Sequence, residues 1–262
     1  TLADVKGYYD RVFGLGKGYI AVVGDFDPQA VAKELEADIV DQKSAEVPFE
    51  RVVAEYRPVG PARFVIDTPD KENAMLFARV DLPASLTDSD MPALITADWI
   101  IGGSDGLSNR IVNRLRQKEG LSYGAGSGIT LPSFGNRAKW SVGAIVAPQN
   151  LAQAEKSLRD ELARAYRDGI TEEELAEAKR GIIQSRAVNR AQDGLIASNW
   201  VNNLELGKTW QFSKATEEAV MKLTVEDVNK ALRRFCDPEK LTFALAGDLK
   251  KAQAAGKDFS KQ

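Results

Sequence analysis

Two stretches of this chain are versions of one another. TLADVKGYYDRVFGLGKGYIAVVGD at residues 1–25 aligns without a gap with TVEDVNKALRRFCDPEKLTFALAGD at residues 224–248. Eight positions are identical at an offset of 223: Thr1/Thr224, Asp4/Asp227, Val5/Val228, Arg11/Arg234, Lys17/Lys240, Ala21/Ala244, Gly24/Gly247 and Asp25/Asp248. Both copies read as a helix with a Thr N-cap, a turn, and a β-rich apolar run ending at Gly-Asp. Helix–turn–strand units share generic features, but eight ungapped identities favour duplication over chance. A duplicated closing unit divides the chain. Residues 1–45 become the terminal helix–strand–helix of a preceding repeat, and residues 63–250 a complete repeat closed by the second copy. Residues 46–62 hold Pro48, Pro58 and Pro61 with no helical period and read as an extended linker. Residues 251–262 read as a frayed polar tail. On this reading the chain belongs to a longer protein with at least one more half upstream.

Hydrophobic period predicts the elements of the complete repeat. Arg63–Thr68 and Ala74–Leu82 read as strands, the second with Ala74, Leu76, Ala78, Val80 and Leu82 on one face. Ser89–Ile101 and Ser108–Glu119 read as helices joined by a flexible Gly102-Gly103-Ser104-Asp105-Gly106. Leu121–Thr130 and Asn136–Val146 form an expected hairpin. In its first strand Gly124, Gly126 and Gly128 share a face, which removes side chains where another backbone comes close. Helices are expected over about 148–168 and 171–206, the latter interrupted at Asp193-Gly194, and over 210–221. Strands in antiparallel pairs and helices in blocks define an α+β fold: a mostly antiparallel sheet with helices packed on one face.

What the chain lacks limits its chemistry. It has no histidine and a single cysteine, Cys236. Ser–His and Cys–His nucleophile pairs are therefore excluded, as are zinc sites built on histidine. No disulfide is possible within the chain, and no acidic loop of calcium-binding spacing occurs. A formal net charge of −3 gives no attraction to nucleic acid or an anionic membrane. The longest apolar candidate, Ala93–Ile101, is short and interrupted by Asp98, so no segment spans a bilayer.

The remaining motifs are few. IIGGSDGLSNR follows a helix, not a strand, and lacks the glycine spacing of a phosphate loop; it reads as a helix–helix connection capped near Leu107-Ser108. Cys236, with no base available, reads as a small buried hydrophobe. Thr171-Glu172-Glu173-Glu174-Leu175 reads as a capped helix start whose carboxylates complement the dipole. That leaves RLRQKEGLSYG, residues 114–124, a basic helix end stopped by glycine and followed by a strand. Arg116 there suits the helix dipole, and Tyr123 alternates with Leu121 and Ala125 as a strand aromatic would. Residue pattern alone leaves the pair open between structural and functional roles.

GGSDGLSNRIVNRLRQKEGLSYGAGSG resembles the segment that marks the non-metal half of the pitrilysin/insulinase family of zinc metallopeptidases, the inverzincins. The resemblance extends over about residues 60–250, and the closing TVEDVNKALRRFCDPEKLTFALAGD has the form with which that family ends each half. It implies a clamshell of two homologous α+β halves. One half carries H-x-x-E-H and zinc. The other lacks it and contributes an arginine and, seven residues later, a tyrosine; Arg116 and Tyr123 have that spacing here. A phenolic hydroxyl suits an oxyanion formed by metal-activated water, and a guanidinium suits the carbonyls of a bound peptide. With no H-x-x-E-H, the fragment alone is expected to bind no catalytic zinc and to cleave nothing.

The resemblance thus implies the C-terminal, substrate-contacting half of a zinc metalloendopeptidase. Tyr123 and Arg116 are expected in the catalytic and peptide-binding site, with Gly102 and Gly103 as a flexible rim. No cofactor is expected in this fragment. Zinc is expected in a homologous partner half, on the same chain or another subunit. The other partner is a peptide substrate; nucleic acid and membrane are not expected. A periplasmic location follows by resemblance only. The alternative is a non-catalytic assembly module of the same fold.

Overall fold

The computed structural model describes residues 1–14, 18–39, 47–48, 50–103 and 108–254. The Ser104–Gly106 part of the expected glycine connection, its Leu107 and most of the polar tail lie outside the described residues. The chain divides into two compact units, Thr1–Val52 with Ser185–Lys214, and Val53–Gln184 with Ala215–Gln262.

The larger unit is built on one five-stranded sheet. Its strands are β1 (Arg63–Asp67), β2 (Ala74–Pro83), β3 (Ser122–Thr130), β4 (Arg137–Val146) and β5 (Thr242–Gly247), in the order β1-β5-β2-β4-β3. Pairings β5/β2, β2/β4 and β4/β3 are antiparallel, while β1/β5 is parallel. Strand alternation sorts the faces. Leu76, Ala78, Trp140, Val142, Ala144, Phe243 and Leu245 turn inward and are buried in one core. Full burial of each large side chain contributes about 1.5–3 kcal/mol. Phe64, Ile66, Met75, Phe77 and Ile145 turn outward and are exposed.

Helices supply the other half of that core. α3 (Met91–Asp98), α5 (Leu151–Asp168) and α9 (Val225–Phe235) send Leu94, Ala97, Leu151, Leu158, Leu162, Val228, Leu232 and Phe235 into it. Arg63 on β1 donates to both oxygens of Glu155 on α5, at 3.0 and 2.9 Å, and Arg159 donates to the same carboxylate. The expected strands agree with the structure to within about a residue at each end. The linker's Ala54 bridges Gly135 at the β3–β4 turn, and the Tyr56 N–H donates to Asn136 Oδ1 at 2.9 Å.

Three expectations are corrected. Gly102 and Gly103 are not in a flexible connection: α3 runs on as a π-turn, Trp99–Gly103, and Gly102 is buried. The cap of the next helix, α4 (Arg110–Val112), is Asn109, whose Oδ1 accepts the Val112 N–H at 2.8 Å. Asp193-Gly194 does not interrupt a helix but opens one. α6 (Glu172–Asn189) ends before it and α7 (Asp193–Glu205) begins on it, placing Asp193 in a first turn where an anion favours the dipole.

The smaller unit holds α1 (Leu2–Val12), α2 (Pro28–Ile39) and α7, with α8 (Trp210–Lys222) beginning in it. The two aligned stretches share one cap arrangement. The Asp4 N–H donates to Thr1 Oγ1 while the Thr1 amine donates back to Asp4, and Asp227 and Thr224 repeat the arrangement at α9. Burial is where the copies part. Val228, Ala231 and Leu232 on α9 and Cys236 at its C-cap are buried, whereas the corresponding Val5, Tyr8 and Tyr9 on α1 and Phe13 at its C-cap are exposed. Residues 19–24, equivalent to β5, form no ladder among the described residues. A strand is stabilised by partners, and β5 has β1 and β2.

Candidate functional site

The Arg116–Tyr123 segment is shaped by how a helix ends. α4 continues as a π-turn, Asn113–Lys118, with Ile111 and Leu115 fully buried beneath it. Gly120 then takes φ +63°, the left-handed conformation that favours glycine. The Gly120 N–H donates to the Arg116 carbonyl at 3.2 Å, and the Leu121 N–H to the Leu115 carbonyl at 2.8 Å. This is a Schellman-type stop that satisfies carbonyls the helix would leave bare. Arg116 stands on the outer side of that last turn, exposed, with no ion pair among the described residues.

Tyr123 is placed by a bulge. Ser122 lies opposite Val146 and Gly124 opposite Ile145, so Tyr123 is the extra residue on β3. The Ser122 hydroxyl, buried, lies 2.8 Å from the carbonyl oxygens of both Gly124 and Ile145 and pins the irregularity. A bulge re-aims the side chain it carries. Tyr123 is 83% exposed. Arg116 and Tyr123 thus flank one glycine turn at the start of the sheet's outer strand, both open to solvent and neither tied down.

Gly102 and Gly103 sit elsewhere, at the end of the π-turn, where Gly102 packs against the same strand. A Cβ on Gly102 would lie 2.6 Å from the Ser127 backbone nitrogen, and one on Gly126 would lie 2.9 Å from the Gly102 carbonyl oxygen. The close backbone approach expected of the β3 glycines therefore occurs at Gly126. Gly124 and Gly128 face open space. A Cβ on Gly103 would overlap Asp98 Oδ2. Both glycines serve the seam between the π-turn and β3.

That seam hides a residue the sequence reading passed over. Asp98, 7% exposed, accepts the Ser127 hydroxyl at 2.5 Å and the Trp140 indole N–H at 3.0 Å. Burial pushes its carboxyl up to about 6, against hydrogen bonds from Ser127, Trp140 and the Ile129 backbone that favour the anion. The signal was a lone aspartate inside the apolar run Ala93–Ile101. Nearby, Arg110 grips both oxygens of Glu174 at 2.6 and 2.7 Å and also donates to the Gly169 carbonyl. Glu174 accepts the Thr171 N–H in turn, so the acid-rich segment is a helix cap. Cys236 is buried at the end of α9, and burial drives its thiol well above the ordinary range.

Zinc does not fit this chain. There is no histidine, the one cysteine is buried, and no three acidic or thiol side chains converge among the described residues. No described helix is long and apolar enough to cross a membrane.

Fold and site together define an α+β domain with one helix-covered and one open sheet face, and no cluster of metal-ligating side chains among the described residues. The sequence pattern of the Peptidase M16 inactive domain matches residues 1–182, and the chain belongs to that family. In structure it is similar to a peptidase M16 inactive domain from Pseudomonas fluorescens, at 22% identity and a TM-score of 0.72, covering 86% of this chain and 52% of that one. It is similar also to a protease from Helicobacter pylori, at 17% identity and a TM-score of 0.70, covering 86% and 54%. The periplasmic protease PqqL from Escherichia coli matches at 15% identity and a TM-score of 0.62, covering 86% of this chain and 24% of that protein. The chain spans about half the length of the first two structures. No curated protein matches it in sequence.

Proposed function

We propose that this chain is the substrate-contacting, non-metal half of a zinc metalloendopeptidase, closing as a clamshell on a zinc-bearing homologous half supplied by the same or another chain. The observation that carries the reading is Tyr123. Its phenol is 83% exposed on a bulge, the kind of irregularity that re-aims a side chain, and is open to meet a substrate. A donor aimed at a developing oxyanion accounts for it. Arg116, across the Gly120 turn, would hold carbonyl or carboxylate groups of the peptide with its planar fork. Metal-activated water would come from the partner half, and the residues of this chain would orient peptide and receive charge.

The uncovered apolar face of α1 supports a second body. Its twin on α9 is buried against a sheet and helices, so a homologous half is the partner of matching shape. The likeness to a periplasmic protease suggests export to that compartment.

Tyr123→Phe in the intact protein tests the assignment. Turnover of a peptide substrate should fall ~10²–10³-fold, the loss typical of an oxyanion donor. Peptide affinity and melting temperature should hardly move. Unchanged turnover would reduce Tyr123 to a surface aromatic and favour a non-catalytic assembly module.

A further inference from the structure

The register of the sheet places Gly126, Gly143, Phe77, Ala244 and Phe64 in one row across the open face. Gly143 presents bare backbone in that row, while over Gly126 the Gly102 carbonyl oxygen stands 2.9 Å from where a Cβ would be and closes the slot on the β3 side. A Cβ on Gly143 would lie 3.7 Å from the Phe77 ring, so that ring forms the back wall. Ile145 bounds the slot on one side and Ser141 on the other, within a groove of about 420 Å³. Glycine weakens strands, and Gly143, bare between an exposed aromatic and the backbone carbonyl over Gly126, calls for an occupant.

Charge on the same face says what else that occupant carries. Beyond Ser141 the outward positions of β2 and β4 are Arg79, Asp81, Lys139 and Arg137. Arg79 and Arg137 both donate to Asp81, at 2.8 and 2.5 Å, so one carboxylate serves two guanidiniums and Lys139 adds a further cation. The strip is net positive. On β4, Lys139 lies four residues from Gly143, about 13 Å along a strand.

We infer that the open sheet face reads an extended peptide through two side chains: a bulky apolar one on the Gly143 floor against Phe77, and an acidic one four residues away at Lys139. This rests on the peptide-contacting role proposed above and names the class of peptide that role selects. An aromatic side chain gains wall and floor contacts that alanine lacks. The carboxylate meets the excess positive charge, and because the peptide's direction along β3 is not fixed, the acid belongs on one side or the other.

Fluorescein-labelled ten-residue peptides of alanine and serine, carrying one Phe with Glu four residues before or after it, provide the probe with the intact protein. One of the two should bind at least tenfold more tightly than its Phe→Ala counterpart, and Phe77→Ala should cut that preference below threefold. Phe77→Leu, which keeps most of the volume, serves if the alanine variant misfolds. Lys139→Glu should abolish or reverse the preference for Glu over Gln. Peptide preferences that survive both substitutions, or that are missing in the wild-type protein, would overturn the inference. The two readings fail separately. Loss of turnover in Tyr123→Phe with no Phe preference removes this site alone, and a Phe preference with normal Tyr123→Phe turnover removes the catalytic reading alone.

Discussion

Trp140 in the middle of β4 donates its indole N–H to Asp98 at the end of α3, a 3.0 Å bond between two residues that are both almost wholly buried. It joins the helical layer to the sheet directly beneath the outer strand that carries Tyr123. Around it Ser127, the Ile129 backbone and the π-turn glycines close ranks, so one carboxyl group ties the helical layer to β3, which is also laddered to β4 from Ser122 to Thr130.

That carboxyl makes stability depend on pH in a definite sense. The folded protein holds Asp98 at about 6, while the unfolded chain holds it near 3.8. The folded state thus binds the proton more tightly, and the stabilisation is fully present below pH 3.8 and lost as pH rises through 6. A gap of about two units corresponds to about 3 kcal/mol. Asp81, Glu119, Glu155 and Glu174 are depressed instead, and their contributions fade only as pH falls below about 4.5. Between pH 5 and 7.5 the wild type should therefore lose several degrees of melting temperature, and Asp98→Asn should lose little. Parallel melting curves for the two proteins across that range would refute the account.

Gly102→Ala should separate the seam from the fold. The added Cβ would stand 2.6 Å from the Ser127 nitrogen and 2.8 Å from an Ile111 methyl, with backbone on one side and core on the other. Overpacking of this kind costs about 1–3 kcal/mol. Hydrogen exchange should quicken over residues 122–130 while β1 and β5 remain protected. Uniform loss of protection across the sheet would mean that the seam is not a local device.

Arg116→Lys addresses the second site residue. The side chain is exposed, so stability should be unaffected. An ammonium keeps the charge and loses the fork. Peptide KM should rise by tenfold or more, since one lost hydrogen bond to a charged group is worth about 1.5–3 kcal/mol and ~1.4 kcal/mol is tenfold. A lysine variant with wild-type kinetics would remove Arg116 from the site.

Much of this architecture is legible in the sequence because it is written in short-range terms. Alternation exposed β2 and β4 to within a residue, and the Thr-x-x-Asp caps announced α1 and α9 in both copies of the duplicated unit. Gly120 marked the helix stop between Arg116 and Tyr123. What stayed hidden depends on long-range placement. Nothing in the spacing of Gly102 and Gly103 shows that they lie against Ser127, because that contact joins elements about 25 residues apart. The bulge at Tyr123 is a property of two strands in register, and a single strand does not display it. Asp98 broke the apolar run visibly, but its partners Ser127 and Trp140 are distant in the chain. The row from Gly126 to Phe64 crosses five strands and is visible only in the assembled sheet.

Ser122 should prove to be a positioning residue for Tyr123. Its hydroxyl bonds at 2.8 Å to the carbonyls of Gly124 and Ile145, the two groups that a bulge at Tyr123 would otherwise leave poorly paired. Alanine there removes about 0.5–1.5 kcal/mol of hydrogen bonding. The core is spared, because the side chain lost is a single hydroxyl. If the bulge then relaxes toward regular pairing, Tyr123 turns with the pleat, since a shift of one residue moves a side chain to the other face of a strand. Ser122→Ala should therefore lower turnover at least tenfold with a melting shift of only a few degrees, whereas Ser122→Thr, which keeps the hydroxyl, should recover most of the rate. The informative comparison is the double variant with Tyr123→Phe. Two residues acting through one phenol lose no more together than Tyr123→Phe loses alone, and fully additive losses would show that Ser122 acts on the reaction by some other route.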